Sequence, residues 1–218
     1  MLKESQSYRP FTYPFLMEAA KRHSIDMYWD VHSVDLQDDL RQYNNNLKTP
    51  TVSHETNKYI VDTLLVLFTE MDRAVADGYI KLLPYAKNNE ARSWLLTAGQ
   101  REVVHQRGYA LLPESLGFTV SQWYDFKNHK EMVNKLSAVK TEEEDFSQDD
   151  SHELQAAKIL ATILLGEGIG LFAAFTCLLN FKRFGLLMGY NDVNQWSLVD
   201  EQDHVETNIK LLRTNPLS

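Results

Sequence analysis

Cysteine is almost absent from this sequence, and there is no excess of positive charge. Cys177 is the single cysteine among 218 residues, so a disulfide framework is excluded and a reducing, cytoplasmic setting is expected. The formal net charge is −8, and no basic stripe runs along any segment, which argues against a nucleic-acid-binding surface. The start of the chain carries no apolar signal region.

Glycine and proline are also scarce and unclustered, with 9 and 6 residues respectively. Such a composition is typical of long helices joined by short connections. There is no repeat of fixed period and no low-complexity linker. We therefore predict one all-α domain that spans residues 1–218.

One apolar run, residues 159–179, is long enough to cross a bilayer. Glu167 is its only charged residue. A carboxylate near the middle of a membrane span costs about 3 kcal/mol on insertion scales. We therefore predict a helix enclosed by the core of a protein, with no membrane partner, in which Glu167 has a polar task.

A second stretch, residues 100–112, interrupts an apolar helical stripe with polar side chains. The stripe runs from Leu95 to Leu112 at spacings of three and four. Three inward positions between them carry a carboxylate, an imidazole and a phenol: Glu102, His105 and Tyr109. Burying an unpaired carboxylate costs several kcal/mol, so the pattern calls for a compensating partner, and a metal cation is the obvious one.

The Glu-x-x-His spacing returns near the end of the chain as Glu201 and His204. Glutamate and histidine one helical turn apart can reach one site from a rigid backbone. A lone match is more often a surface ion pair. Two matches on separate inward stripes, with Glu167 inward on a third helix, are the pattern of di-metal carboxylate proteins and predict a ferritin-like four-helix bundle.

The fourth helix must supply one more carboxylate, and Glu70, Asp72 and Asp77 compete for this place. Asp72 has mainly apolar helical neighbours, whereas Glu70 is flanked by polar ones, so Asp72 is the better candidate. Four carboxylates gathered without metal would repel, each pair 4 Å apart by about 4 kcal/mol at an effective dielectric constant of 20. Oxygen-rich ligation with one imidazole per metal suits iron or manganese better than structural zinc.

Helix boundaries follow from caps and breakers. We predict a long helix from Ser53 to about residue 83, stopped by Pro84, and a second from residue 88 or 89 that ends at Pro113 and Gly117.

In the second half of the chain, Thr119-x-x-Gln122 predicts a capped helix through about residue 137. The acidic run 141–150 predicts a solvated loop rather than a metal site. Asp150-x-x-Glu153 is expected to cap the apolar helix, Gly189 to end it, and a last helix to run from about residue 192 to Pro216.

Together these residues resemble the small, radical-generating subunit of class I ribonucleotide reductase. That family orders its ligands as carboxylate, Glu-x-x-His, Glu and Glu-x-x-His. Its radical tyrosine follows the first ligand histidine by four residues, which is Tyr109 here. An aromatic-Trp segment ahead of Val-Asp is matched by Tyr28 and Trp29, and an aspartate before the last ligand glutamate is matched by Asp200.

The resemblance implies a di-iron centre, or a manganese or mixed manganese–iron one, that reacts with dioxygen to oxidise Tyr109. Its ligands would be the four carboxylates and two histidines named above: Asp72, Glu102, His105, Glu167, Glu201 and His204. Trp29, Asp200 and His105 would form a hydrogen-bonded route for an electron and a proton. Leu171 and Phe175 would help to keep the radical dry.

The resemblance also implies partners. A large subunit would use the radical to reduce ribonucleotides for DNA replication, and the small subunit would form a homodimer. The family continues well past the second ligand histidine, through further helices to a tail that docks on the large subunit, and the transfer tyrosine of that tail has no counterpart here. We therefore expect a naturally shortened or split subunit or a truncated gene product, and for a split subunit a complementing C-terminal chain is a candidate partner.

Two other functions remain open at this stage. A related bundle could use the same ligands for iron oxidation and storage or for substrate oxygenation, without need of Tyr109 or Trp29. Alternatively, the chain could be a helical fragment that is inert until it binds a complementing chain.

Overall fold

Helices form all the regular structure in the ranges that the computed structural model describes, residues 1–140 and 150–214. The predicted all-α class is confirmed. The α-helices are α1 (Pro14–Lys21), α2 (Gln37–Asn45), α3 (His54–Leu82), α4 (Asn89–Ser115), α5 (Val120–Tyr124), α6 (Lys130–Ala138), α7 (His152–Leu165), α8 (Phe172–Lys182) and α9 (Met188–Thr214). The acidic run 141–149 and Pro216 lie outside the described residues.

Four long helical segments surround a polar centre. Helix α3 packs along α4 and α7, and α9 packs against α4, α7 and α8. One apolar layer includes Phe68 of α3 and Phe175 of α8, and the other includes Val75 of α3 and Leu95 of α4. On α3 the buried Asp72 lies between the two layers, so the polar side chains are enclosed from both ends of the bundle.

The predicted starts of the long helices are confirmed by their caps. The Ser53 hydroxyl accepts a hydrogen bond from the backbone N–H of Thr56, and the Asn88 side chain accepts from Glu90 and Ala91. Thr119 and Gln122 form the predicted capping box. Each cap satisfies backbone donors that the first helical turn leaves free.

Pro113 does not end α4, contrary to the prediction, because the helix continues to Ser115. Proline has no N–H, so the carbonyl of Tyr109, four residues earlier, loses its helical partner. The Tyr190 hydroxyl donates to that carbonyl at 3.0 Å. A side chain from α9 therefore replaces the missing backbone bond, and Gly117, at φ +71°, follows the true end of the helix.

The single helix predicted from Thr119 to about residue 137 is wrong. The chain forms α5, then a 3-10 turn at Asp125–Asn128, and then α6. The Asn128 side chain donates to the Asp125 carboxylate at 3.0 Å. Such local side-chain bonds compete with helical ones, and His129 is extended at φ −107° and ψ 102°.

The cap of α7 is Ser151 rather than Asp150. The Ser151 hydroxyl accepts from the N–H of Leu154, whereas the Asp150 carboxylate lies 2.7 Å from the Lys158 ammonium group. Both residues are good N-caps, so the sequence alone could not separate adjacent candidates.

Gly189 does not end the apolar helix but lies inside α9. Helix α8 ends at Lys182, and Gly185, at φ +68°, is the glycine that follows it. The N–H groups of Gly189 and Tyr190 donate to the Asp39 carboxylate of α2, which caps α9. A side chain at position 189 would collide with the Asp35 carbonyl, so this glycine permits close packing.

The segment His152–Lys182 is long and apolar enough to cross a membrane by length and composition, and 44% of its most hydrophobic window is buried. A π-helical turn at Gly166–Gly170 separates α7 from α8 within it. Such turns insert one residue and redirect a side chain. Here the turn contains Glu167, which is 3% exposed.

Candidate di-metal site

Four helical segments bring together the six side chains that the sequence singles out as ligands. None is more than 3% exposed. They are Asp72 on α3, Glu102 and His105 on α4, Glu167 in the π turn, and Glu201 and His204 on α9. The convergence that the sequence predicts is therefore present in the fold.

Glu102 occupies the centre of this cluster. Its ligand atoms and those of Asp72 and His105 form one group, and all lie within 4.8 Å of one another. Glu102 also belongs to a second such group, with Glu167, Glu201 and His204. The arrangement therefore offers two adjacent sites that share one carboxylate.

Each histidine directs Nδ1 into the cluster. His105 Nδ1 lies 3.0 Å from Glu201 Oε1 and 3.4 Å from Glu102 Oε2. His204 Nδ1 lies 2.9 Å from Glu102 Oε1 and 3.1 Å from Glu167 Oε1. One imidazole nitrogen thus belongs to each of the two adjacent sites.

The three candidates for the fourth carboxylate differ in burial. Asp72 is 1% exposed and lies in the cluster, whereas Glu70 pairs with Arg73 on the surface and Asp77 is exposed. Asp72 is accordingly the carboxylate that α3 contributes.

Burial and the charges of neighbouring groups shift the pKa values of the cluster residues strongly. Burial raises the pKa of Glu167 to about 8, and burial together with the charge of Glu102 raises the pKa of Asp72 well above its usual range. For Glu102 burial acts in the same direction, but His105 and His204 outweigh it and lower the pKa to about 2. Burial would lower the pKa values of both histidines, yet the surrounding carboxylates raise them well above normal. Protons thus partly balance the negative charge when no cation does so.

Many polar atoms of the cluster make no well-aligned hydrogen bond among the described residues, although the histidine nitrogens lie within 3.4 Å of several carboxylate oxygens. Both carboxylate oxygens of Asp72, Glu102 and Glu201 are in this state, as are one oxygen of Glu167 and Nδ1 of His105. Buried polar groups are normally satisfied, and cations are the partners that carboxylate oxygens and imidazole nitrogen would accept here. Four carboxylates and two imidazoles therefore fit a pair of divalent cations, with iron or manganese favoured by the donor set.

Behind His105 lies a second layer of hydrogen bonds centred on Asp200. One oxygen, Asp200 Oδ2, lies 2.8 Å from Trp29 Nε1, 2.7 Å from Arg101 Nε and 3.0 Å from His105 Nε2. Burial would raise the pKa of Asp200, but His105 and Arg101 lower it strongly. The predicted association of Trp29, Asp200 and His105 is thus present in the geometry.

Arg101 was missed by the sequence reasoning. It is 0% exposed and continues the inward spacing of three and four from Ala98 to His105. That spacing could have identified it, but a buried arginine is rare without a partner, and its partner Asp200 is distant in sequence.

Another network, also missed, supports the Glu167 side. Tyr79 donates its hydroxyl proton to Glu167 Oε1 at 2.8 Å, and Asn208 Nδ2 donates to the Tyr79 hydroxyl at 2.7 Å. Trp94 Nε1 in turn donates to Asn208 Oδ1 at 2.8 Å. Tyr79 lies two helical turns after Asp72 and Asn208 one turn after His204, so both occupy positions that the inward stripes predict.

Tyr109 is fully buried next to the cluster. Its ring stacks on Phe68 with centroids 4.2 Å apart, and its hydroxyl lies 3.5 Å from Asn194 Oδ1. Burial, followed by the charge of Asp72, raises the pKa of the phenol well above its usual value. Leu171 and Phe175, 0% and 2% exposed, belong to the same apolar cluster.

A groove of about 390 Å³ opens from the cluster between α8 and α9. Glu167 and Glu201 lie at its polar end, and Phe172, Leu198 and Val205 form apolar walls. This groove is a route by which a small apolar molecule could approach the ligands.

Two curated relatives come from viruses. The probable ribonucleoside-diphosphate reductase small subunit 048L of Invertebrate iridescent virus 3 is 28% identical over 98% of this chain and 58% of its own length. The corresponding subunit 376L of Invertebrate iridescent virus 6 is 29% identical over 98% of this chain and 60% of its own. The chain therefore spans about three fifths of the length of these relatives.

Solved structures share the fold at lower identity. The ribonucleotide reductase R2 subunit from Clostridium botulinum has a TM-score of 0.82 at 12% identity, over 96% of this chain and 64% of that one. An R2-like ligand-binding oxidase reconstituted with a Mn/Fe cofactor has a TM-score of 0.66 at 18% identity, over 94% and 70%. The ferritin-like fold of such R2 subunits is thus confirmed.

A family model shows which family the chain belongs to. The model described as "Ribonucleotide reductase, small chain" matches residues 5–215, which is nearly the whole chain. The protein therefore belongs to the ribonucleotide reductase small-chain family.

Proposed function

We propose that this protein binds two metal ions in the buried cluster and uses them to form a radical on Tyr109 for ribonucleotide reduction by a separate large subunit. The observation that carries the proposal is the pair of adjacent ligand groups that share Glu102, enclosed by the same core that buries Tyr109. Family membership supports the same role.

Each ion would have its own ligands in addition to Glu102. Asp72 and His105 would complete one site, and the other would include Glu167, Glu201 and His204. Such metal pairs supply one-electron oxidising power when they react with dioxygen. Iron is our first choice, with manganese or a mixed pair as alternatives, because oxygen-rich sites with imidazole suit these metals.

The chain itself provides a dry, protonated phenol. The raised pKa keeps Tyr109 protonated at neutral pH, so its oxidation requires loss of both an electron and a proton. Phe68 stacks on the Tyr109 ring, Phe175 packs against Phe68, and the apolar cluster that contains all three side chains keeps bulk water away. Exclusion of water prevents side reactions, which suits a radical that must persist.

We further propose that Trp29, Asp200 and His105 carry an electron between the cluster and the surface. The hydrogen bonds at Asp200 Oδ2 connect the indole directly to the ligand histidine. Trp29 is 9% exposed, and its ring lies parallel to that of His105 with centroids 5.9 Å apart. Trp29 is thus in contact with both Asp200 and His105, so no gap separates the three members of the proposed route.

Partners and location are also proposals. The large subunit would receive the oxidising equivalent, and we expect a homodimer in the cytoplasm. Leu165, Ile169 and Phe172 are 55%, 71% and 63% exposed along one side of α7 and α8. An apolar surface of this kind suits coverage by a complementing chain.

Reconstitution with ferrous iron and air tests the proposal. A tyrosyl signal in paramagnetic resonance is expected from the unaltered chain and is lost in Tyr109→Phe, which should keep its metal. Tyr190→Phe is the matched control, since Tyr190 is equally buried and its ring centroid lies 5.9 Å from that of Tyr109. A signal that survives in Tyr109→Phe but disappears in Tyr190→Phe would show that the wrong tyrosine was assigned.

A second candidate function is oxidation of iron for storage or of an apolar substrate, and the groove beside Glu167 and Glu201 favours the latter. It predicts dioxygen consumption that persists in Tyr109→Phe and Trp29→Phe. A helical fragment that is inert alone would instead bind no metal and run as an aggregated or unfolded species in gel filtration.

A further inference from the structure

Arg101 is a permanent cation enclosed beside the proposed electron route. Its Nε donates to Asp200 Oδ2 at 2.7 Å, its Nη2 donates to the Met27 carbonyl at 3.0 Å, and its side chain is fully buried. Burial of a guanidinium is costly unless it is paired, and here Asp200 pairs with it. The arrangement fixes the guanidinium at two points.

The guanidinium also lies against the indole of Trp29. Its central carbon is 4.7 Å from the centroid of that ring, within the range of a cation–π interaction. Trp29 Nε1 donates to the same Asp200 oxygen that Arg101 holds. The indole therefore contacts the Asp200 carboxylate through Nε1 and the Arg101 guanidinium through its ring face. His105 bonds to the same Asp200 oxygen and lies parallel to the ring, with centroids 5.9 Å apart, so Arg101 is the nearer of two groups that offset the carboxylate charge at the indole.

We propose that Arg101 is a positioning residue that makes Trp29 a poor electron donor by balancing the charge of Asp200 at the indole. Removal of one electron from Trp29 leaves a positive charge on the ring while the Nε1 proton stays in its hydrogen bond to Asp200. The guanidinium repels that charge and loses its attraction to the neutral ring. Without Arg101, the Asp200 carboxylate, which would then be offset only by His105, would stabilise the oxidised indole more strongly.

The significance of this inference rests on the proposed function. If Trp29 lies on the electron route, Arg101 would slow electron supply from the surface, and Tyr109 would be left as the electron donor to a bound metal pair. The charge effect itself can be measured without metal. Failure of the proposed function and failure of this inference are therefore distinguishable.

The test is photo-oxidation of the full metal-free chain by a ruthenium polypyridyl oxidant, which accepts the electron from the indole. Transient absorption measures the tryptophan radicals, and the part due to Trp29 is the difference from the same chain carrying Trp29→Phe. Arg101→Met and Arg101→Gln should raise the Trp29 yield about thirtyfold, the factor that corresponds to a desolvated cation–π interaction. Arg101→Lys keeps the charge and should stay within about threefold of the unaltered chain.

Two controls separate charge from structure. Arg107→Met removes an exposed arginine of the same helix and should change nothing. The indole N–H resonance of Trp94, which donates to Asn208, should stay in place in every variant and shows that the core is folded. If the folded Arg101→Gln or Arg101→Met chain gives the unaltered Trp29 yield, or if Arg101→Lys behaves like them, the proposal is overturned.

A measurement on the metal-loaded protein tests whether Arg101 also directs oxidation to Tyr109. After addition of ferrous iron and air, Arg101→Gln should form less Tyr109 radical and more transient tryptophan radical than the unaltered chain. An unchanged ratio of the two radicals alongside a raised photo-oxidation yield would refute the assigned role of Arg101 in directing oxidation to Tyr109.

Discussion

The two Glu-x-x-His turns have the same spacing and the same depth of burial, yet their surroundings differ. His105 Nε2 bonds to Asp200, which Arg101 and Trp29 also hold. His204 Nε2 has no hydrogen-bond partner among the described residues and faces the ring of His23, with centroids 4.7 Å apart. A local motif thus specifies which atoms enter the site but not what stands behind them.

The cluster thus has a His105 half, with Asp72 and His105, and a His204 half, with Glu167, Glu201 and His204. In the proposed function these halves would have separate tasks. Asp200 accepts the Nε2 proton of His105, so Nδ1 is the nitrogen that would lose its proton and bind a metal. This half also adjoins Trp29 and is the one suited to electron transfer. The His204 half is oriented by packing and adjoins the open groove, so it is the half that a small molecule can reach.

The largest expected effect comes from removing the Glu102 side chain, which belongs to both ligand groups. Glu102→Ala should reduce bound metal to below about a tenth of the unaltered content, because both ligand groups lose a charged member. Asp72→Ala should affect mainly the His105 half and leave roughly half of the metal. Elemental analysis after gel filtration measures this, with the surface variant Glu70→Ala as control. Equal losses in Glu102→Ala and Asp72→Ala would show that the sites fill only as a pair.

The next largest effect is that of pH on stability and metal affinity, and it depends on the proton that Glu167 carries in the His204 half. The pKa of Glu167 is raised to about 8 from an ordinary value of 4.5, so in the metal-free protein its proton stabilises the fold. That contribution is complete below 4.5 and is lost as pH rises through 8. A metal must displace this proton, so Glu167 alone should weaken affinity for the His204 half about tenfold per pH unit below 8, in addition to the effect of the proton that a metal displaces from His204.

Titration with ferrous or cobaltous ion between pH 6 and 8.5 measures the slope. Glu167→Gln removes the titrating group and should lower the slope by about one proton. The rise in Tm on metal binding should correspondingly grow with pH in the unaltered chain. A slope that is identical in Glu167→Gln would mean that the proton resides elsewhere in the cluster.

A feature of the site could be predicted from the sequence when its residues lie close together in the chain, and not when they lie far apart. The ligands were predictable because spacing of three and four places Glu102 and His105 on one face of a single helix. Asp72 was preferred for the same reason. Arg101 and Tyr79 lie on the same inward stripes, but their partners Asp200 and Glu167 are remote in the chain, and only the fold brings them together.

The helix ends show the same limit. Ser53, Asn88 and Thr119 cap helices by bonds to their immediate neighbours, and these starts were predicted. Pro113 and Gly189 were misinterpreted because their effects depend on other helices. Tyr190 rescues the carbonyl that Pro113 leaves free, and Asp39 caps the helix that contains Gly189.

A smaller effect on metal affinity is expected when the residues next to the two histidines, Asp200 beside His105 and His23 beside His204, are replaced. Asp200→Asn neutralises the acceptor behind His105 and should weaken metal binding about 10- to 100-fold, as is typical when a group that orients a ligand is removed. His23→Ala removes the ring beside His204 but no hydrogen bond to it, so affinity should change less than about threefold. Metal titration at constant pH makes the comparison, and similar losses in both variants would contradict the asymmetry.

The smallest effect concerns packing at two glycines. A Cβ at Gly108 would lie 2.8 Å from Val193 Cγ1 and 3.3 Å from Trp29 Cη2, whereas one at Gly168 would come no closer than 3.4 Å, to Val205. Gly108→Ala should therefore lower the free energy of unfolding by about 1–3 kcal/mol, because a filled core must shift. Gly168→Ala meets only ordinary contact on the groove side and should be neutral within about 0.5 kcal/mol. Urea unfolding of the metal-free chain compares the two variants. Equal stability would mean that Val193 and Trp29 both shift freely, so that the His105 half is packed no more tightly than the His204 half.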